Sequence, residues 1–361
     1  MKKLTIISLK YSPGLLKEMI ALSKAAEIDQ YNVSLLINSK YGWLLDEANF
    51  NQINAIQFNS VYELFGILKN LTTDKKRKII FYNFHPANIL IRLFKKPSNS
   101  FVYVHEPWME DKYKYGFKRM AMVTVLEKLQ KFYAILTSEQ IVVPSIHAKE
   151  KAIKYKLKHK KSNIEVCPLM LDISKQEWKA KKSFLFIGRL HGAKAFDPVL
   201  NTLNYDPDFK LSVLTTSAIP KSVFKAYEKE IKARRLNIIS KANLSEEEIQ
   251  TAISSSLAVF KLDTLMTQSG VVALSFALST PVIARNILGF SQDVDHMKNG
   301  FLIDNDDHQS LMEAIQWTLN NSLQASQAAR KTYEDKFSPY SWNQNWGRVL
   351  VKNESKNLSI L

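Results

Sequence analysis

Phe184-Leu185-Phe186-Ile187-Gly188-Arg189-Leu190-His191-Gly192-Ala193-Lys194 reads as a short apolar strand running straight into a glycine loop, with the helical stretch Asp197 to Leu203 behind it. An unbroken apolar run bounded by a glycine suits a strand covered on both faces, as strands are in a parallel sheet. Gly188 lets the chain turn sharply. Arg189 and Lys194, five residues apart on one loop, can then converge on a diphosphate, the arginine as a planar fork and the lysine as a point charge.

The same strand, loop and helix alternation continues outward in both directions. Towards the N-terminus, strands are expected at Leu4 to Leu9, Asn32 to Ile37, Ala55 to Phe58, Lys78 to Phe84, Phe101 to Glu106 and Gln140 to Ser145. Helices fill the gaps, for example Leu15 to Ala26 and Met120 to Leu136. Towards the C-terminus the strands are Lys210 to Thr216, Asn237 to Ser240, Leu257 to Leu262, Pro281 to Arg285 and Gly300 to Asp304. Such alternation predicts the α/β class with parallel sheets. At 361 residues the chain exceeds the usual limit of one core. The expectation is therefore two Rossmann-like doubly wound domains, residues 1–168 and 183–335, joined by a linker at 169–182. In this arrangement they face each other across a cleft, and residues 336–361 pack back on the first domain. Ligands of open α/β sheets bind beyond the carboxyl ends of the strands, so residues just after strands are the ones to weigh.

Composition narrows the class. A hydrophobic share of 46% with 23% charged residues is that of a folded globular protein. The single cysteine, Cys167, excludes an intrachain disulfide framework and suits a reducing, cytoplasmic setting. Lys10 interrupts the first apolar run short of a signal-peptide core. The most apolar stretch, Leu265 to Ala284, carries Thr267, Gln268, Ser269, Ser275, Ser279, Thr280 and Pro281, which is too polar for a membrane span.

The net charge of +16 is uneven: residues 1–182 hold 31 basic against 16 acidic residues, whereas residues 183–361 hold 19 against 18. Basic clusters sit at Lys75 to Lys78, at Arg92, Lys95 and Lys96, at Lys112, Lys114, Lys118 and Arg119, and from Lys149 to Lys161. A field of this kind attracts polyanions, and the expected partner is an anionic membrane surface. Nucleic acid is not expected, because no compact recognition motif accompanies the charge.

Thr267-Gln268-Ser269-Gly270 precedes an apolar helix and then Thr280-Pro281-Val282-Ile283-Ala284. Ser269 and Gly270 at a helix start would present free N–H groups and the positive dipole end to a phosphate. The Gly188-Arg189-Leu190 run with Lys194 resembles the G-R-L-x-x-x-K pattern that opens the donor domain of glycosyltransferase family 4, although Ala195 stands where a glycine is usual. The Thr280 to Ala284 run is similar to the family's G-T-P-V-I-A. Leu288-Gly289-Phe290-Ser291-Gln292-Asp293-Val294 and Asn299-Gly300-Phe301-Leu302-Ile303 resemble its G-G-x-x-E-x-V and N-G-x-L-V segments. One departure is large: Met266 and Leu274 occupy the places of the family's paired glutamates, so the chain looks like an atypical branch. The first half resembles the family more faintly, through Tyr11-Ser12-Pro13-Gly14 after the first strand and through Cys167-Pro168 ahead of the linker.

This resemblance implies the GT-B fold and a retaining transfer of a hexosyl-type sugar from a nucleotide diphosphate sugar, a UDP-sugar first. The acceptor would be a glycan or lipid-linked molecule of bacterial surface polysaccharide or lipopolysaccharide assembly, at the inner face of the membrane. It places the donor diphosphate on Arg189, Lys194, Ser269, Gly270 and Gly14, and the donor sugar and nucleoside near Thr267 and Gln268. In Phe101-Val102-Tyr103-Val104-His105-Glu106 it makes His105 the group beside the transferred sugar. Glu106 could accept the acceptor's proton. Two other readings fit the same residues: a nucleotide-sugar epimerase of this fold, or a non-catalytic basic binding protein. No cofactor or metal is expected, because the histidines lack zinc-ligand spacing. Asp304-Asn305-Asp306 spells a D-x-D motif, yet Asp306 or Asp307 is placed to cap the helix of Leu311 to Leu319. No G-x-G-x-x-G, Walker loop or G-x-S-x-G elbow occurs.

Overall fold

A computed structural model describes residues 2–9, 13–42, 54–83, 85–95, 99–106, 117–136, 140–154, 164–174, 181–188 and 196–351. The chain forms two compact units, residues 1–172 with 338–361, and residues 173–337. Each is a parallel sheet with helices on both faces, as the alternation predicts.

The first unit holds strands β1 (Lys2–Ile7), β2 (Tyr31–Asn38), β3 (Asn54–Phe58), β4 (Lys78–Tyr82), β5 (Ser100–Tyr103), β6 (Gln140–Val143) and β7 (Ile164–Val166). They lie in the order β3-β2-β1-β4-β5-β6-β7, and every pairing is parallel. Its helices are α1 (Pro13–Ile28), α2 (Val61–Leu71), α3 (Ala87–Lys95), α4 (Phe117–Leu136) and α5 (Ile146–Lys154). Successive strand residues point to opposite faces, and both faces are covered, which is why the central strands are mostly apolar. Leu4, Ile6, Leu35 and Ile80 enter one core with Met19 and Leu22 of α1. Ile7, Leu36, Ile79 and Phe81 enter the other with Leu64 and Leu68 of α2. The segment after Ser338 belongs to this unit. Trp342 meets the Tyr31 ring edge-on at 6.0 Å and donates from Nε1 to Asp29 over 3.1 Å.

The second unit holds β8 (Ser183–Ile187), β9 (Leu211–Thr215), β10 (Leu236–Ser240), β11 (Ser256–Lys261), β12 (Val282–Arg285) and β13 (Gly300–Ile303). Their order is β10-β9-β8-β11-β12-β13, again parallel throughout. Helices α6 (Phe196–Asn201), α7 (Lys221–Ala226), α8 (Glu228–Lys232), α9 (Glu246–Ser254), α10 (Gly270–Ala277), α11 (Leu288–Ser291) and α12 (His308–Lys336) cover it. Phe184, Phe186, Phe209 and Phe260 form the aromatic centre of its core.

Some element limits differ from the sequence reading. The first strand starts earlier and ends at Ile7, and β5 stops at Tyr103, so His105 and Glu106 lie beyond its end. The helix expected to finish at Leu319 continues to Lys336, with a break in its dihedrals at Asn321. Strand β7 was not anticipated.

Candidate functional site

In both sheets the strand order reverses beside the first strand, between β1 and β4 and between β8 and β11. Loops diverge at such switch points and leave room for a ligand at the carboxyl edge. In the second unit these are the loops after β8 and β11. Strand β8 is followed by Gly188 at φ 127°, a conformation that strongly favours glycine, and its N–H donates to Leu214 O over 3.1 Å. Arg189 and Lys194 follow it but lie outside the described residues.

The loop after β11 is firmly held. Thr267, Gln268 and Ser269 are buried. The amide of Gln292 donates to Thr267 O over 2.9 Å. Gly289 lies against the same loop, where an added Cβ would fall 1.8 Å from Met266 O, so no side chain fits. Lys336 Nζ in turn donates to Gln292 O over 2.9 Å and pairs with the buried Asp293, whose carboxyl burial pushes up. The resulting platform presents α10. Ser269 caps this helix with extended backbone, its Oγ accepting from Val272 N at 3.4 Å, and Gly270 is its first residue. At the far end Arg330 Nη1 donates to Ala277 O over 2.6 Å, placing a cation where the helix dipole is negative. The N-terminal end is left to favour an anion.

The α10 exit also accounts for a resemblance. Ser279 adopts φ 54°, Thr280 N donates to Ser275 O over 2.8 Å and Ser279 N to Phe276 O over 3.0 Å. These are the two bonds of a Schellman ending, with serine in the left-handed position that glycine usually takes.

A buried ion pair at the end of β11 was not singled out from the sequence: Lys261 Nζ lies 2.7 Å from Asp263 Oδ2. The D-x-D letters are otherwise engaged. Asp304 accepts from Asn286 Nδ2 over 2.9 Å, Asp306 pairs with Arg285 at 2.9 Å, and the neighbouring Asp307 caps α12 through Ser310 N. Among the described residues, no group of three or more His, Cys, Asp or Glu side chains could hold a metal ion.

In the first unit, Gly14 sits exposed in the first turn of α1. His105 follows β5 and is partly exposed, with Nε2 3.9 Å from Glu18 Oε1 and its ring edge-on to Tyr103 at 6.4 Å. Glu106 lies 3.6 Å from the Nζ of buried Lys151 on α5. Glu18 was missed by the sequence reading. It is buried on α1 and accepts from Tyr82 Oη over 2.8 Å, and Tyr82 stacks on Tyr103 at 4.6 Å. Burial raises its carboxyl from 4.5 to about 7, against the lowering effect of the Tyr82 hydrogen bond. The signal was present: Leu15, Glu18, Met19, Leu22 and Ala25 share one helix face, and Glu18 is its acidic member.

No curated protein sequence matches the chain. Among solved structures, HepE of Anabaena, crystallised with UDP, is similar with TM-score 0.63 and 14% identity over 100% of both chains. Another of its structures holds UDP-glucose. A TarM variant from S. aureus, in complex with Fondaparinux, alpha-GlcNAc-glycerol and UDP, gives TM-score 0.65 and 11% identity over 97% of this chain and 100% of that one. Sucrose-phosphate synthase from Thermosynechococcus elongatus gives 0.58 and 12% over 100% and 99%. Residues 172–335 match the family model described as glycosyl transferases group 1. The second unit is therefore similar to the glycosyl transferases group 1, and the two parallel-sheet units carry the fold of the GT-B glycosyltransferase structures.

Proposed function

We propose that the chain is a retaining glycosyltransferase that moves a hexosyl-type sugar from a UDP-sugar to a glycan or lipid-linked acceptor in bacterial surface polysaccharide or lipopolysaccharide assembly, at the cytoplasmic face of the membrane. The observation that carries the reading is the platform of the second unit, within the family match, where the Ser269-capped α10 and Gly188 follow the neighbouring, paired strands β11 and β8.

In this reading Arg189, Lys194 and the Ser269-Gly270 helix end stabilise the departing diphosphate, meeting negative charge where it develops in the transition state. Gly14, where α1 begins without a side chain, allows close approach of a phosphate. Thr267 and Gln268 face the donor sugar and nucleoside. His105 bonds a hydroxyl of the transferred sugar, with Glu18 behind it as a positioning group, and Glu106 receives the acceptor proton. The chemistry so drawn needs no cofactor or metal. The UDP and UDP-glucose held by HepE and the UDP held by TarM support a uridine donor.

The test is incubation with a panel of UDP-sugars, with and without acceptor glycans and with and without chelator, read by UDP release and by NMR of the product's anomeric carbon. Acceptor-dependent release with retained configuration is expected. Conversion of the sugar without acceptor would make the protein an epimerase instead, and no turnover with any donor would overturn the reading.

A further inference from the structure

Helix α4 turns apolar side chains to solvent. Lys118, Met122, Val125 and Phe132 follow spacings of four, three and seven, so they form one stripe, about 21 Å long at the helical rise, while Leu129 between them is partly buried against the core. Met122 is 57% exposed, Phe132 51%, and Phe117 at the helix start 78%. Leu126 beside the stripe is exposed as well. The inner side of the helix is already served by buried Val123 and Glu127. A solvated helix in a globular unit carries polar residues on its outer face; here large apolar groups stand there together, the mark of a surface that meets another phase.

Charge selects the partner. Glu127 is the acidic residue of α4, and it faces inward, whereas Lys118 and Lys128 are exposed along the apolar face. A second copy placed across a two-fold axis would bring these lysines against their equals, which disfavours self-association. An anionic lipid surface satisfies both properties at once, taking the apolar groups into the acyl boundary and the ammonium groups among the phosphates.

We propose that the outer face of α4 is the surface by which the first unit docks on an anionic membrane, with Met122, Val125 and Phe132 inserted and Lys118 and Lys128 at head-group level. This deepens the membrane part of the function proposed above and rests on that part. UDP release from a UDP-sugar by the same preparations reports the transferase part separately.

The test is vesicle flotation of the full chain with neutral phosphatidylcholine vesicles and with vesicles containing phosphatidylglycerol. The parent should float with the anionic vesicles, and high salt should reduce this. Met122→Ser/Val125→Ser/Phe132→Ser changes exposed groups, and should keep the parent's circular dichroism and UDP release while binding roughly 100-fold more weakly. Lys118→Glu/Lys128→Glu should weaken binding by about 25-fold or more. Undiminished flotation of the triple variant would overturn the proposal, as would a parent that never floats. Sedimentation showing a parent dimer that the triple variant converts to monomer would make the face a self-association surface instead.

Discussion

Glu18→Gln separates the two states open to the buried carboxyl beneath His105. The folded environment raises this group from 4.5 to about 7 by burial. Between those values the folded chain holds a proton that the unfolded chain releases, so the group's contribution to stability is fully present below about pH 4.5. It is lost as pH rises through about 7. Well above that, holding the charge in its buried place costs on the order of 3 kcal/mol, since one pKa unit is roughly 1.4 kcal/mol. Glutamine keeps an acceptor for Tyr82 Oη and carries no charge. At about 2 to 4 °C of melting temperature per kcal/mol for a unit of this size, Glu18→Gln should melt roughly 6 to 12 °C higher at pH 8.5 and match the parent near pH 4.5. Calorimetry at the two pH values reads this directly. A variant less stable than the parent at pH 8.5 would refute the reasoning, because it would mean that the buried carboxylate is stabilised in its ionised form.

Three further substitutions probe the second unit. Gly289→Ala must move the Met266 carbonyl, which an added Cβ would approach to 1.8 Å; the displaced loop should weaken UDP binding at least tenfold by calorimetric titration. Ser279→Gly relieves a left-handed serine at φ 54° and should raise stability by about 0.5 to 1 kcal/mol in urea unfolding, with no change in UDP affinity. Arg189→Ala and Lys194→Ala should each slow transfer by one to two decades, since a charge-assisted hydrogen bond is worth about 1.5 to 3 kcal/mol. A fall in kcat beyond the rise in donor KM would place that contribution in the transition state.

The strands were legible because both sheets are covered on both faces, which makes each one an apolar run that can be read without knowing its neighbours. Their ends were less so, since a partner strand decides where pairing stops. His105 was therefore read as part of a strand that closes at Tyr103. Strand β7 has three residues and no apolar run of its own. Asn320-Asn321-Ser322 carries the signals of a helix end, and the long helix instead kinks at Asn321 and proceeds because Ala325 and Ala329 remain buried. In the site, Ser269 as a helix cap followed from local chemistry alone. Gly289 against Met266 could not, since that contact joins loops distant in sequence. Glu18 was hidden because an acidic residue in an apolar stripe looks like ordinary helix surface until the stripe is known to be buried.

The central claim is that a nucleotide diphosphate binds at the carboxyl edge of the second sheet, against the start of α10. Amide hydrogen exchange with and without UDP tests it most directly, because the signal is assigned along the chain and needs no acceptor. The account predicts slowed exchange in peptides covering Gly188 to Lys194 and Ser269 to Val272, with little change at the opposite edge of that sheet. UDP that binds without protecting either segment would contradict it.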